Sequence, residues 1–207
     1  MPSDSPISRK PLCEIETRLS DGRPVCLRTI RPSDEHRIRD GITEMSDRSR
    51  YLRFFSAFRE PPESIVKALS AVDGHDHIGW GAILLDGDRY PPIAAAHAIR
   101  SEDDPSLGEL SIAVLDDYQG LGLARMLIAA LLADCAVEDL LNLEMQVMAE
   151  NRPAATLVKH LGAQRIARLD SVEHYGLNVA DALLGLRGSS QLAGVHDVLS
   201  EFDLARF

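Results

Sequence analysis

The chain has 207 residues, is 45% hydrophobic, and sets 32 acidic side chains against 22 Lys and Arg for a formal net charge of -10. That length suits one domain, 1–207, with a packed core, and the acidic balance argues against nucleic-acid binding, which needs Lys and Arg in excess. No apolar h-region opens the chain, and the longest apolar run, "LARMLIAALLADC", is short of a membrane span and contains Arg125 and Asp134. Neither export nor a bilayer is expected. Cys13, Cys26 and Cys135 form no C-x-x-C spacing, so the expectation is a reduced, cytoplasmic protein with separate buried thiols.

Residues 1–11 carry three prolines among polar neighbours and are expected to be loose. "LCEIETRLSDGRPVCLRTIRP" reads as two strands around the hairpin signal Asp21-Gly22. "PSDEHRIRDGITEMSDRSRYLRFF" starts a helix that Ser33 or Asp34 can cap, with Ile38, Ile42 and Met45 as its buried stripe. "RSRYLRFF" itself alternates basic and aromatic residues, and we read it as helix packing with its arginines at the surface. A short helix after Pro61-Pro62 presents Ile65, Val66, Leu69 and Val72.

Three strand-like segments follow, split by turns at Gly87-Asp88 and at "SEDDPS". In the third, Leu110, Ile112 and Val114 share one face, and Glu109, Ser111 and Ala113 the other. The segment from about 121 to 138 is apolar nearly all round and predicts a helix buried against a sheet. "LNLEMQVMAEN" is a strand, and "RPAATLVKHLG" a helix with Pro153 in its first turn and Gly162 as its stop. "AQRIARLDSVEHYGLNV" is a final hairpin. The tail, 180–207, predicts one or two weak amphipathic helices, and its Leu183, Leu184, Leu186, Leu192, Val195, Val198, Leu199 and Phe202 suggest docking or a homodimer contact. The order is α+β with a mostly antiparallel sheet and one βαβ crossover through 121–138.

The segment "VLDDYQGLGLARML" carries the chemistry. It lacks the Lys of a P-loop, and Arg125 stands where a Rossmann fingerprint needs a small residue. What remains is Q-x-x-G-x-A: Gln119, Gly122 and Ala124 at the start of a helix. Unsatisfied main-chain N–H groups and the helix dipole make such a turn a diphosphate cradle when small residues, here Gly120, Gly122 and Ala124, let the ligand approach. The same glycines serve equally in a plain strand-to-helix turn. Nearby "HDH" (75–77) has metal-capable residues, but adjacent loop positions alone rarely make a site, and no metal is expected.

Together with "ENRPAATLVKHLGA" (150–163) and the N-terminal "IRP-D" and "S--SRYLRFF" patterns, this loop resembles the GNAT superfamily of acyl-CoA-dependent N-acyltransferases, and in particular the acetyltransferase domain of Pat-type protein lysine acetyltransferases. The resemblance covers roughly residues 24–178 of a core placed at 12–179. It implies the GNAT fold with a splayed groove for acetyl-CoA. Ile112, Val114 and Leu115 would line that groove, main-chain donors from Gln119 through Gly120, Leu121, Gly122, Leu123 and Ala124 would grip the diphosphate, and the Arg125 side chain would reach a phosphate or stay solvated. Asn151 would lie near the pantetheine arm. Glu109 matches the position of the Pat-type general base, with His97 and Glu144 as rivals. Val158 stands where many members place a Tyr acid. The implied activity is acetyl transfer to a primary amine, most simply a protein lysine; a small amine acceptor and a non-catalytic acyl-CoA-binding module are the alternatives.

Overall fold

The computed structural model describes residues 13–86, 89–188 and 193–202. Residues 1–11, the Gly87-Asp88 turn and Leu192 lie outside them. Strands β1 (Ile15–Arg18) and β2 (Pro24–Thr29) form the first hairpin, and helices α1 (Glu35–Glu44), α2 (Asp47–Phe54) and α3 (Glu63–Ser70) follow. Next come β3 (His77–Leu84), β4 (Pro92–Arg100), β5 (Leu107–Val114), α4 (Leu123–Val137), β6 (Asn142–Met148) and α5 (Arg152–His160). The hairpin β7 (Gln164–Leu169) and β8 (Val172–Asn178) precedes α6 (Val179–Gly188) and α7 (Ala193–Ser200). The strands make one eight-stranded sheet in the order β1-β2-β3-β4-β5-β6-β8-β7, with β5–β6 its parallel pair.

Helix α4 fills one side of the sheet. Eleven of its fifteen residues are buried, which is why its sequence is apolar all round. Trp80 packs in this core and donates from Nε1 to Asp134 Oδ2 at 2.7 Å. Burial pushes the Asp134 carboxyl above its ordinary range, against the pull of that bond. Leu183, Leu186, Val195, Val198 and Leu199 join the same core, so much of the tail's apolar surface is spent on α4, while Leu184 stays 60% exposed.

Helices α1 to α3 cover the other side, and three expectations change there. The single helix read across 33–55 is two. Met45 turns extended at ψ 140°, and Ser46 Oγ accepts from the Ser49 amide at 3.2 Å to cap a new helix. Asp34 does not cap α1 with its side chain. Its carboxylate instead takes both guanidinium nitrogens of buried Arg28, at 2.9 and 2.6 Å, and the Arg31 amide at 2.9 Å. The arginines of "RSRYLRFF" are not all superficial either, since Arg50 is buried against Asp47 and the Ile42 carbonyl.

The cysteine reading is corrected as well. A bend at Glu14, whose carboxylate accepts from the Thr29 amide and hydroxyl, folds Cys13 back onto β2. There it is disulfide-bonded to Cys26, with Cα atoms 5.5 Å apart. Cys135 is a free, buried thiol, pushed up to about 12 by burial and the neighbouring Asp134 carboxylate.

Burial alone would raise the Asp34 carboxyl; the bonds from Arg28 and Arg31 outweigh it and leave it below its ordinary range. A depressed folded-state value stabilises above the unfolded value of about 3.9 and ceases to do so as pH falls through the lower folded one. Arg28→Met removes the two-pronged partner and leaves that carboxylate the Arg31 amide and, at 3.9 Å, the Arg37 guanidinium, and denaturant unfolding at pH 7 should show a loss of about 1–3 kcal/mol. A loss within a few tenths would mean that the pair does not hold α1 to the sheet.

Candidate functional site

Strands β5 and β6 are paired only at Leu107–Asn142, Gly108–Leu143 and Glu109–Glu144. Beyond Glu109, β5 stays laddered to β4 as far as Val114–Ala94, while β6 turns to its other neighbour, β8. A groove of 270 Å³ opens between the two. Its walls include Glu109, Ile112 and Val114 from β5, Met145 and Gln146 from β6, and Asn151 and Leu157 from the α5 segment. Val158 lies at its base, 5% exposed.

At the far end of β5 the chain turns into α4. Gly120 and Gly122 have φ of 75° and 87°, the left-handed region that glycine adopts without penalty. The amides of Arg125 and Met126 turn back onto the Gly122 carbonyl, while those of Leu123 and Ala124, first in the helix, have no intrahelical acceptor. A Cβ added at Gly120 meets nothing within 4 Å, so the space over the turn is open. Gln119 Nε2 donates to the Val114 carbonyl at 3.1 Å, which fastens the turn to the strand. This arrangement of bare amides, open space and dipole suits a diphosphate.

The sequence-derived residues separate here. Glu109, Ile112, Val114, Gln119 and Asn151 are brought to one groove. Asn151 caps α5, its Oδ1 accepting from the Ala154 amide at 3.2 Å. Leu115 faces away, into a 90 Å³ apolar cavity beneath α1 with Ile93 and Ala113. Leu123 is 1% exposed, so it offers its amide and not its side chain. Leu121, Ala124 and Arg125 are half-buried along the turn.

His97 is 2% exposed, its Nδ1 3.0 Å from His77 Nε2. Burial, then the Arg53 and His77 charges, hold its protonation well below the ordinary range. Glu144 lies across from Glu109, and both border a second, 440 Å³ pocket with Ser111 and Gln146. Tyr175 is a core residue whose hydroxyl donates to Glu173. His75 pairs with Glu138 at 2.7 Å, and no group of three potential metal ligands occurs among the described residues. Nor is any described helix long and apolar enough to cross a membrane.

Sequence reasoning missed the side chains that α2 contributes. Half-buried Arg53 donates from Nη2 to Ser111 Oγ at 2.7 Å and lies over the Phe54 ring at 4.9 Å. Asp116 Oδ1 accepts from the hydroxyls of Ser46 and Ser49 at 3.2 and 2.8 Å. The signal was the Ser46 cap, which marks a separate helix beginning beside the loop.

The sequence model of the Acetyltransferase (GNAT) family matches residues 33–163. The chain belongs to the GNAT acetyltransferase family. It is 30% identical over 149 residues to the acetyltransferase Pat of Mycolicibacterium smegmatis, covering 72% of this chain and 44% of that protein. It is also 30% identical over 115 residues to an acetyltransferase of Pseudomonas aeruginosa, covering 55% and 61%. The chain thus spans less than two thirds of either relative's length. The crystal structure of the GNAT domain of S. lividans PAT superposes with a TM-score of 0.72 at 21% identity, over 79% of this chain and 95% of that one. The GNAT fold expected from the sequence is therefore the fold found, with its mostly antiparallel sheet and single parallel pair.

The glycine turn yields a direct test. A methyl at Gly120 has room but the wrong φ, so Gly120→Ala should cost about 1 kcal/mol of stability. Isothermal titration with CoA should show affinity falling about tenfold, or 1.4 kcal/mol. Unchanged affinity would mean that these amides are not the grip.

Proposed function

We propose that this GNAT domain transfers an acetyl group from acetyl-CoA to a primary amine, with a protein lysine as the acceptor. The observation that carries the reading is that β5 holds a carboxylate at one end of an open groove and leads into a bare-amide helix start at the other. From Glu109 to Val114 the strand runs about 16 Å, so the two functions are set apart along one rigid rod.

Acetyl-CoA supplies the activated thioester carbonyl. The residues here that fit it are the amides of Gly120, Leu121, Gly122, Leu123 and Ala124 for the diphosphate. The free edge of β5 from Ile112 to Val114 serves the pantetheine arm, and Asn151 and Leu157 form the facing wall. Glu109 does the proton work. An amine of ordinary value about 10.4 is an ammonium at neutral pH and cannot attack until a base within reach, directly or through one water, takes a proton. Glu109 is exposed at the mouth of the groove, where an acceptor can reach it, whereas His97 is sealed beneath the helices and already hydrogen-bonded. Glu144 lies on the opposite wall and adds negative potential for a cationic acceptor. With Val158 at the position of the usual Tyr, the leaving thiol relies on its own acidity, ordinarily about 8.5.

Support for lysine comes from the similarity to Pat, and it is tested against small amines by measuring CoA release with a panel of polyamines, free lysine and lysine peptides. A proteome acetylated by the protein should gain acetyl-lysine by mass spectrometry. Turnover confined to small amines would move the assignment to that class, and CoA binding with no turnover on any acceptor would leave a binding module. Glu109→Gln should lower kcat by about a hundredfold or more while CoA affinity stays within twofold. Wild-type kcat in that variant would remove Glu109 from the reaction.

A further inference from the structure

Helix α2 touches the site at both ends. Its start is tied to the strand-to-helix turn through Ser46, Ser49 and Asp116. Its last turn sends Arg53 onto the same face of β5 as Glu109, where it bonds Ser111, two residues along. We propose that Arg53 is a positioning residue acting through Glu109: anchored on Ser111 and braced by Phe54, it fixes the carboxylate at the end of the groove and neutralises the field around it. This rests on Glu109 being the base.

The surroundings make Arg53 the relevant cation. Glu109 is faced by Arg53 from α2 and Glu144 from β6, with Arg100 and His97 coming from β4. Arg100 is committed to Asp76 and to the carbonyls of His75, Pro105 and Glu138. His97 is held neutral by its burial and by the Arg53 charge itself. Glu144 is a like charge across the pocket. Burial pushes the Arg53 guanidinium down to about 10, with the Glu109 charge pulling the other way, so Arg53 stays cationic at neutral pH and the two groups are electrostatically coupled. Remove that cation and Glu109 faces Glu144 alone. Its side chain then has no cation beside it to hold its position.

The test compares Arg53→Met, Arg53→Lys and Glu109→Gln in the full chain. With acetyl-CoA and an accepted amine, kcat at pH 7 should fall about tenfold in Arg53→Met because the base is no longer held at the amine, with CoA affinity within twofold. Arg53→Lys keeps the cation and should recover most of that rate. A folded Arg53→Met with wild-type kcat, or an Arg53→Lys no faster than Arg53→Met, overturns the proposal and leaves Arg53 a packing role. Should that variant not fold, Ser111→Ala carries the test. It removes the anchor without a charge and should lower kcat/KM several-fold, and a wild-type rate again overturns the proposal. Full activity in Glu109→Gln would sink the base assignment itself. Lost activity there, with Arg53→Met unmoved, would sink only the role of Arg53.

Discussion

The site depends on the parting of two parallel strands. Strand β5 is fully hydrogen-bonded to β4 on one edge, yet after Glu109 its other edge has no strand beside it. Main-chain groups cannot be left bare in a dry interior without cost, so such an edge persists only where water or an extended ligand can complete it. One free acceptor is already used: the Val114 carbonyl takes the Gln119 amide, and that bond links the open edge to the turn that follows. A rigid strand with one free side therefore supplies both the rail for an extended molecule and the fixed end from which α4 starts.

The helices on the far face are located by directional bonds as much as by apolar burial. Arg28 with Asp34 and Arg53 with Ser111 are buried or half-buried polar ties between the helical segment and the sheet. His77 with His97 lies within the sheet beneath it, and Asp116 with Ser46 and Ser49 is an exposed clasp at its rim. Buried polar groups are tolerated only when partnered, and removing one partner is costly. That constraint gives these ties a single arrangement. It also explains why α2 needs its own cap at Ser46. Were the chain to continue helical through Met45, neither serine would be free to hold Asp116, and Arg53 would leave β5.

Much of this was legible in the residues. The apolar uniformity of 123–137, the Asp21-Gly22 hairpin and the stop at Gly162 each have a local cause, and the strands and helices they predict are present. The glycine turn was legible because its φ angles demand that residue type. What was not legible depends on partners distant in sequence. Asp34 was read as a cap because it precedes a helix, but Arg28 is a stronger partner. Cys13 and Cys26 looked unrelated until the bend at Glu14 joined them. Leu115 was placed with its neighbours in the groove, yet it lies past the end of β5 and lines the cavity beneath α1 instead. Arg53 looked like a surface cation because nothing in its own helix shows that Ser111 lies within reach.

An acidic protein proposed to bind an anion at its glycine turn needs a physical account, and the geometry supplies one. Long-range charge is screened beyond about 8–10 Å at ordinary ionic strength, so the net charge of -10 matters less at the turn than the donors within contact. Those donors are main-chain amides, which carry no counter-charge that could be titrated away. Of the two acids that precede the turn, Asp116 is occupied by two hydroxyls, and its ionised form is stabilised by them against the cost of burial. At the other end of β5 the balance reverses, because Glu109 and Glu144 face each other and outnumber the one guanidinium, Arg53, beside them. One strand thus separates an end suited to negative charge from an end suited to positive charge, and the two reactants of an amine acylation need those opposite environments at a fixed spacing.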